Sequence, residues 1–159
     1  MRQALSIWNI LAVVSTPKGE SCVLPESRHS RQVSAESVPS VLKQALKDLC
    51  NTSPVLGAAI FSIEGLPFVS YFHAGTEEVA VAAIVASLHS ASTQTVQELR
   101  QGTLKSIIVE GTTGKTIVIA IPPGYLLAVT APDIARTGLV FSDAKKLARE
   151  VTKLLKILS

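Results

Sequence analysis

The chain has 159 residues, 47% apolar, 17% charged and 4% aromatic, with 15 Lys and Arg against 12 Asp and Glu for a formal net charge of +3. Such a composition excludes wholesale disorder, and the length fits one domain with an extension. It also lacks the dense basic clusters of a phosphate-tracking surface and the aromatics of a single-strand stacking platform, so no nucleic-acid partner is expected.

The first apolar segment runs from Ala4 to Val14 and is interrupted by Ser6 and Asn9. With one basic residue ahead of it and Pro17 near any cleavage point, it is not read as a signal peptide. Residues 15–40 carry Pro17, Pro25, Pro39 and seven serines, with no sustained periodicity. Such a stretch buries too little apolar area to offset its ordering entropy, so residues 1–37 read as a flexible extension and 38–159 as the folded domain. No continuous apolar run approaches the roughly 20 residues that span a bilayer, and membrane contact is expected to be indirect or weak at most.

From residue 38 the periodic signals are strong. Val41, Leu42, Ala45, Leu46 and Leu49 follow helical spacing, and Thr52-Ser53-Pro54 predicts a stop near Asn51. Two β-prone runs, 56–63 and 68–72, flank Glu64-Gly65, a hairpin signal, and Pro67 suits an edge strand. Thr76 is the expected N-cap of a long helix that reaches about Gln101 and ends at Gly102. Its predicted inward stripe is Val81, Ile84, Val85, Leu88, Ala91, Ser92, Val96 and Leu99, and its many Ala and Ser residues allow another helix to approach closely. Strands follow at 104–110, 116–121 and 125–131. Both alternating sets of the last two are largely apolar, which predicts a sheet covered on both faces. A final helix from about Leu139 to Leu158 places Val140, Ala144, Leu147, Val151, Leu154 and Leu158 on one seam. The order is α-β-β-α-β-β-β-α, an α+β three-layer sandwich.

No catalytic constellation stands out. Cys22 and Cys50 match neither a disulfide framework nor a zinc pattern, which suits a reducing, cytoplasmic setting. His29, His73 and His89 are widely spaced, and Glu64, Glu110 and Asp133 fall at turns or strand ends. Gly111-Thr112-Thr113-Gly114-Lys115-Thr116 ends like a phosphate-binding loop, but it has two residues between its glycines where that loop has four, and it leads into a strand. It reads as a hairpin turn, and no cofactor, metal or enzymatic activity is expected. The charge is unevenly placed. Residues 1–137 hold ten basic and ten acidic side chains, whereas 138–159 hold five and two. The basic excess therefore lies on the last helix, as a solvated face or as a docking face for something acidic.

The stretch from Val38 to Leu158 resembles the roadblock/dynein light-chain domain family. The resemblance rests on Ile63-Glu64-Gly65-Leu66-Pro67, Gly75-Thr76-Glu77-Glu78-Val79-Ala80, Gly102-Thr103-Leu104-Lys105-Ser106-Ile107 and the segment from Asp133 to Thr137-Gly138-Leu139-Val140. It implies a five-stranded antiparallel sheet with the long helix on one face and the two terminal helices on the other. It further implies a homodimer, or a heterodimer with a second roadblock-like subunit. There the strand at 104–110 pairs with its twin and the long helices pack together, which assigns Ala83, Ile84, Ser87, Ser90, Leu104, Lys105, Ser106, Ile107 and Ile108 to the dimer interface. Members of the family regulate Ras-like small GTPases or act as adaptors in motor and membrane-scaffold complexes. Single-domain members resemble a gliding-motility regulator that activates its GTPase without supplying an arginine, by biasing the switch loops. The implied partner-binding residues are Gln94, Gln97, Glu98 and Arg100. A nucleotide-indifferent structural adaptor is the second reading, and a small-molecule sensor the third.

Overall fold

Alternating apolar strands and amphipathic flanking helices assemble into three layers. The computed structural model describes residues 38–72 and 75–156. Its elements are α1 (Val38–Thr52), β1 (Gly57–Ser62), β2 (Pro67–Tyr71), α2 (Glu78–Glu98), β3 (Ser106–Glu110), β4 (Gly114–Ile121), β5 (Tyr125–Pro132) and α3 (Thr137–Lys156). The sheet is antiparallel, in the order β2-β1-β5-β4-β3. Residues 1–37, which hold the expected extension together with Cys22 and His29, lie outside the described residues, as does His73.

Cross-strand partners share a face, so the register sorts the core into two layers. Ala58, Ile60, Ile117, Ile119, Ile121, Leu127 and Val129 face α1 and α3, and meet Leu42, Leu46, Val140, Ala144, Leu147 and Val151. Ala59, Phe61, Val118, Leu126 and Ala128 form a thinner layer against Ala82 and Val85 of α2. Alanines in the sheet and the helix let α2 lie close, and Phe61 and Leu126 supply the bulk. Near the end of α3, Leu155 is buried and the expected Leu154 packs half-buried against the same core, whereas Leu158 lies outside the described residues.

Local chemistry sets the turns. At the β1–β2 hairpin, Gly65 adopts φ 88°. The Ser62 hydroxyl accepts from the amides of Glu64 and Leu66, both at 3.2 Å. The turn sits on α2, and a Cβ on Gly65 would lie 3.4 Å from Ala83 Cα and from Ala86 Cβ. Part of the small-residue character of α2 therefore serves this turn, beside the close approach of another helix that it allows. Pro67 opens an edge strand, as expected.

Three expectations for α2 are corrected. The N-cap is Glu77 rather than Thr76, without a side-chain cap bond, and the Glu77 carbonyl accepts from the Val81 amide at 3.1 Å. The helix stops at Glu98, before Gly102, in a Schellman pattern. The Gln101 amide donates to the Val96 carbonyl at 2.9 Å, and the Arg100 amide donates to Gln97 at 3.0 Å. Arg100 takes the left-handed position, at φ 53°. A side chain there costs roughly 1–2 kcal/mol, partly offset in a glycine by its greater unfolded-state freedom. Arg100→Gly is therefore expected to stabilise the fold by about 0.5–1 kcal/mol in urea denaturation. Finally, α2 is long and apolar enough, by length and composition, to cross a membrane. Counting unbroken apolar runs missed this, because Ser87, His89 and Ser90 interrupt the run while alanines keep the average high. In this fold the helix packs on the sheet through Ala82 and Val85.

The two helices of the opposite layer are tied at one point. The Ser53 hydroxyl, just beyond α1, donates to Asp143 Oδ2 of α3 at 2.7 Å, and Lys146 reaches Oδ1 at 3.1 Å. The bond from Ser53, then that from Lys146, holds the Asp143 carboxyl below the usual carboxylate range. A carboxyl lowered by folding contributes stability above its unfolded pKa and loses it as pH falls through the folded value. Asp143→Asn is expected to flatten the decline in denaturation midpoint as pH falls below about 5. Cys50 is half-buried, and desolvation raises its thiol pKa, which keeps it protonated and unreactive at neutral pH.

Candidate interaction surface

The sheet leaves α2 and β3 incompletely covered. α2 packs on β1, β2 and β5, α1 on β1 and β2, and α3 on β4 and β5. β3 lies beyond these footprints and has a hydrogen-bonded neighbour on one side only, β4. Ile108 and Val109 are 45% and 43% exposed on opposite faces of that strand. An open edge with apolar side chains readily takes another strand.

α2 contributes the second part. The predicted inward stripe is rotated relative to the observed one: Ala82 and Val85 are buried, with Val81, Ala86, His89, Ser92 and Val96 half-buried beside them. Ile84, expected inward, is 66% exposed, and Ala91 and Leu99 are exposed too. The reason is the Ala-rich contact layer, which seats the helix on its alanine side. Ala83, Ile84, Ser87, Ala91, Gln94 and Glu98 recur at three- and four-residue spacing and share the outward face.

The residues assigned to the dimer interface fall on these two features. Ala83, Ile84, Ser87 and Ser90 are exposed on α2. Ser106, Ile107 and Ile108 lie in β3, with Ile107 packed against the α2 layer. Leu104 and Lys105 precede the strand, and the Lys105 carbonyl accepts from the Ala120 amide at 3.3 Å. The partner-binding candidates Gln94, Gln97, Glu98 and Arg100 are all exposed over the last turns of α2 and its cap. Val79 and Val109 are exposed apolar residues that sequence reasoning did not single out. Their signal was the excess of apolar residues over what one sheet face can cover.

The phosphate-loop look-alike is the β3–β4 hairpin, where the Gly111 amide donates to the Gly114 carbonyl at 2.8 Å. Lys115 turns away from the loop, and its Nζ donates to the Ala135 carbonyl at 2.8 Å and to Thr137 Oγ1 at 2.9 Å. Glu110 Oε1 lies 3.8 Å from Nζ and accepts from Thr137 Oγ1 at 2.9 Å. The lysine fastens the hairpin to the start of α3, with its charge engaged by the protein itself.

This geometry defines an α+β module with an open sheet edge and an apolar helix beside it. The chain belongs to the Roadblock/LC7 domain family, whose sequence profile matches residues 41–131. An uncharacterized protein of Methanocaldococcus jannaschii is 24% identical over 111 residues, covering 70% of this chain and 96% of that protein. The fold is similar to that of Myxococcus xanthus MglB, with a TM-score of 0.70 at 15% identity over 74% of this chain and 96% of the other. It is also similar to a Roadblock/LC7 domain from Streptomyces avermitilis, with a TM-score of 0.67 at 20% identity over 72% and 97%.

Proposed function

We propose that the chain is a non-catalytic, dimeric regulator of a Ras-like small GTPase. The observation that carries the reading is the pairing of an exposed, apolar α2 face with the open β3 edge. Two copies joined at β3 would satisfy both free strand edges and bring their α2 helices together over one face of a continuous sheet. The paired helices then form a platform, with Gln94, Gln97, Glu98 and Arg100 as polar contacts around it. Family membership and the likeness to MglB support a regulatory role, and the absence of unbroken basic stretches supports a protein partner. A cytoplasmic setting belongs to the same reading.

The mechanism is selection among switch-loop conformations of the GTPase, which carries its own hydrolytic machinery. Single-turnover GTP hydrolysis by a candidate Ras-like GTPase is expected to rise at least about tenfold when this protein is added. Arg100→Ala should weaken binding and leave the rate of the saturated complex within about twofold. A variant that binds normally but abolishes the acceleration would point to an arginine supplied in trans and contradict the mechanism. Stable association that ignores GTP and GDP, with no rate change, would instead support a structural adaptor.

A further inference from the structure

The basic excess of α3 is not absorbed by the dimer or by the GTPase platform, and the fold divides it. Lys146 turns toward Asp143 and the α1–α3 groove, which Asp48 and Glu150 also line. Lys145 and Arg149 turn the other way, to a groove of about 490 Å³ between α3 and the chain entering β3. Lys105 lines the same groove, and its apolar walls include Leu104, Ile119 and Ala148. No carboxylate lines it among the described residues, and none of its three cations has an ion-pair partner there. Lys145 Nζ is held 4.5 Å over the Phe141 ring centroid. Lys145 and Arg149 are also four residues apart on one helix face, where like charges oppose each other. Convergent, uncompensated positive charge around apolar walls is complementary to carboxylates interleaved with aliphatic side chains.

We propose that this groove binds an extended acidic segment of a partner protein, with its carboxylates on Lys105, Lys145 and Arg149 and an aliphatic side chain on the Leu104–Ile119–Ala148 wall. A concave groove fits a chain better than the plane of a bilayer, which would engage the outward basic residues of α3 together. Lys146, committed to Asp143, stays outside the site. The inference does not rest on the GTPase reading; Lys145 and Arg149 are outside the proposed dimer contact, whereas Leu104 and Lys105 are shared between that contact and the groove.

Fluorescence anisotropy tests it, with the full chain and a labelled peptide of Glu-Glu-Leu repeats, against the Gln-Gln-Leu counterpart and phosphatidylserine vesicles. Saturable binding of the acidic peptide is expected, with at least about a tenfold loss in the Lys145→Glu/Arg149→Glu double variant. Arg149→Gln, a milder change on an exposed site, should lose affinity in the same direction. Lys146→Glu makes half the double variant's charge change, and twice that of Arg149→Gln, on the other side of α3, and should stay within about twofold of the parent. Absent saturable binding, an equal loss in Lys146→Glu, or a preference for vesicles or the Gln peptide would each overturn the proposal.

Discussion

Replacing Ser87 by glutamate is expected to weaken self-association at least about 100-fold, or about 2.8 kcal/mol, and to leave a folded monomer. Ser87 is exposed on the outward face of α2, and its hydroxyl donates only to the Ala83 carbonyl one turn earlier, at 2.9 Å. The core therefore loses nothing when it changes, and glutamate is at home in a helix. In the proposed dimer two such carboxylates would be brought together into an apolar contact containing both copies of Ile84. Ala83 is a poorer probe, because its Cα faces the Gly65 turn and a larger side chain disturbs the monomer as well. Sedimentation across a concentration series reads the result, and circular dichroism checks the fold. An undiminished dimer in Ser87→Glu would remove α2 from the interface.

The largest expected effect on stability is at Phe61. Its side chain is fully buried between the sheet and α2, among Ala59, Ala82, Val85, Val118, Leu126 and Ala128. Most of these neighbours are too short to close the space it would leave, so Phe61→Ala is placed at about 4–5 kcal/mol, toward the upper end for such truncations. Chemical denaturation at neutral pH measures it. A loss below about 1 kcal/mol would mean that α2 is not anchored on this layer.

The fold was legible because its signals are local and repeated. The near-continuous apolar runs of 116–121 and 125–131, Pro67 at an edge, and the Gly65 turn each specify their own neighbourhood, and together they leave few three-layer arrangements. The errors concentrate in α2, and they have one physical source. With alanine and serine on most sides, hydropathy periodicity points weakly, and the sheet rather than the helix decides which side goes in. Ile84 therefore faces outward and Ala82 inward. The end of the same helix misled for a related reason: Gly102 is the residue type expected at a cap, yet Arg100 occupies the left-handed position. Lys115 shows the complementary case. Spacing alone was enough to reject a phosphate loop, but its bonds to Ala135 and Thr137 needed the three-dimensional path of the chain. The open β3 edge was legible only through the family resemblance, since no feature of residues 106–110 states which side of the strand is paired.

The central claim is that the exposed α2 face and the free β3 edge are the two halves of a self-association surface. Light scattering of the unaltered chain measures this most directly. The expected mass is about twice 16.8 kDa, falling to 16.8 kDa in Ser87→Glu. A mass of 16.8 kDa for the unaltered chain throughout the micromolar range would contradict it.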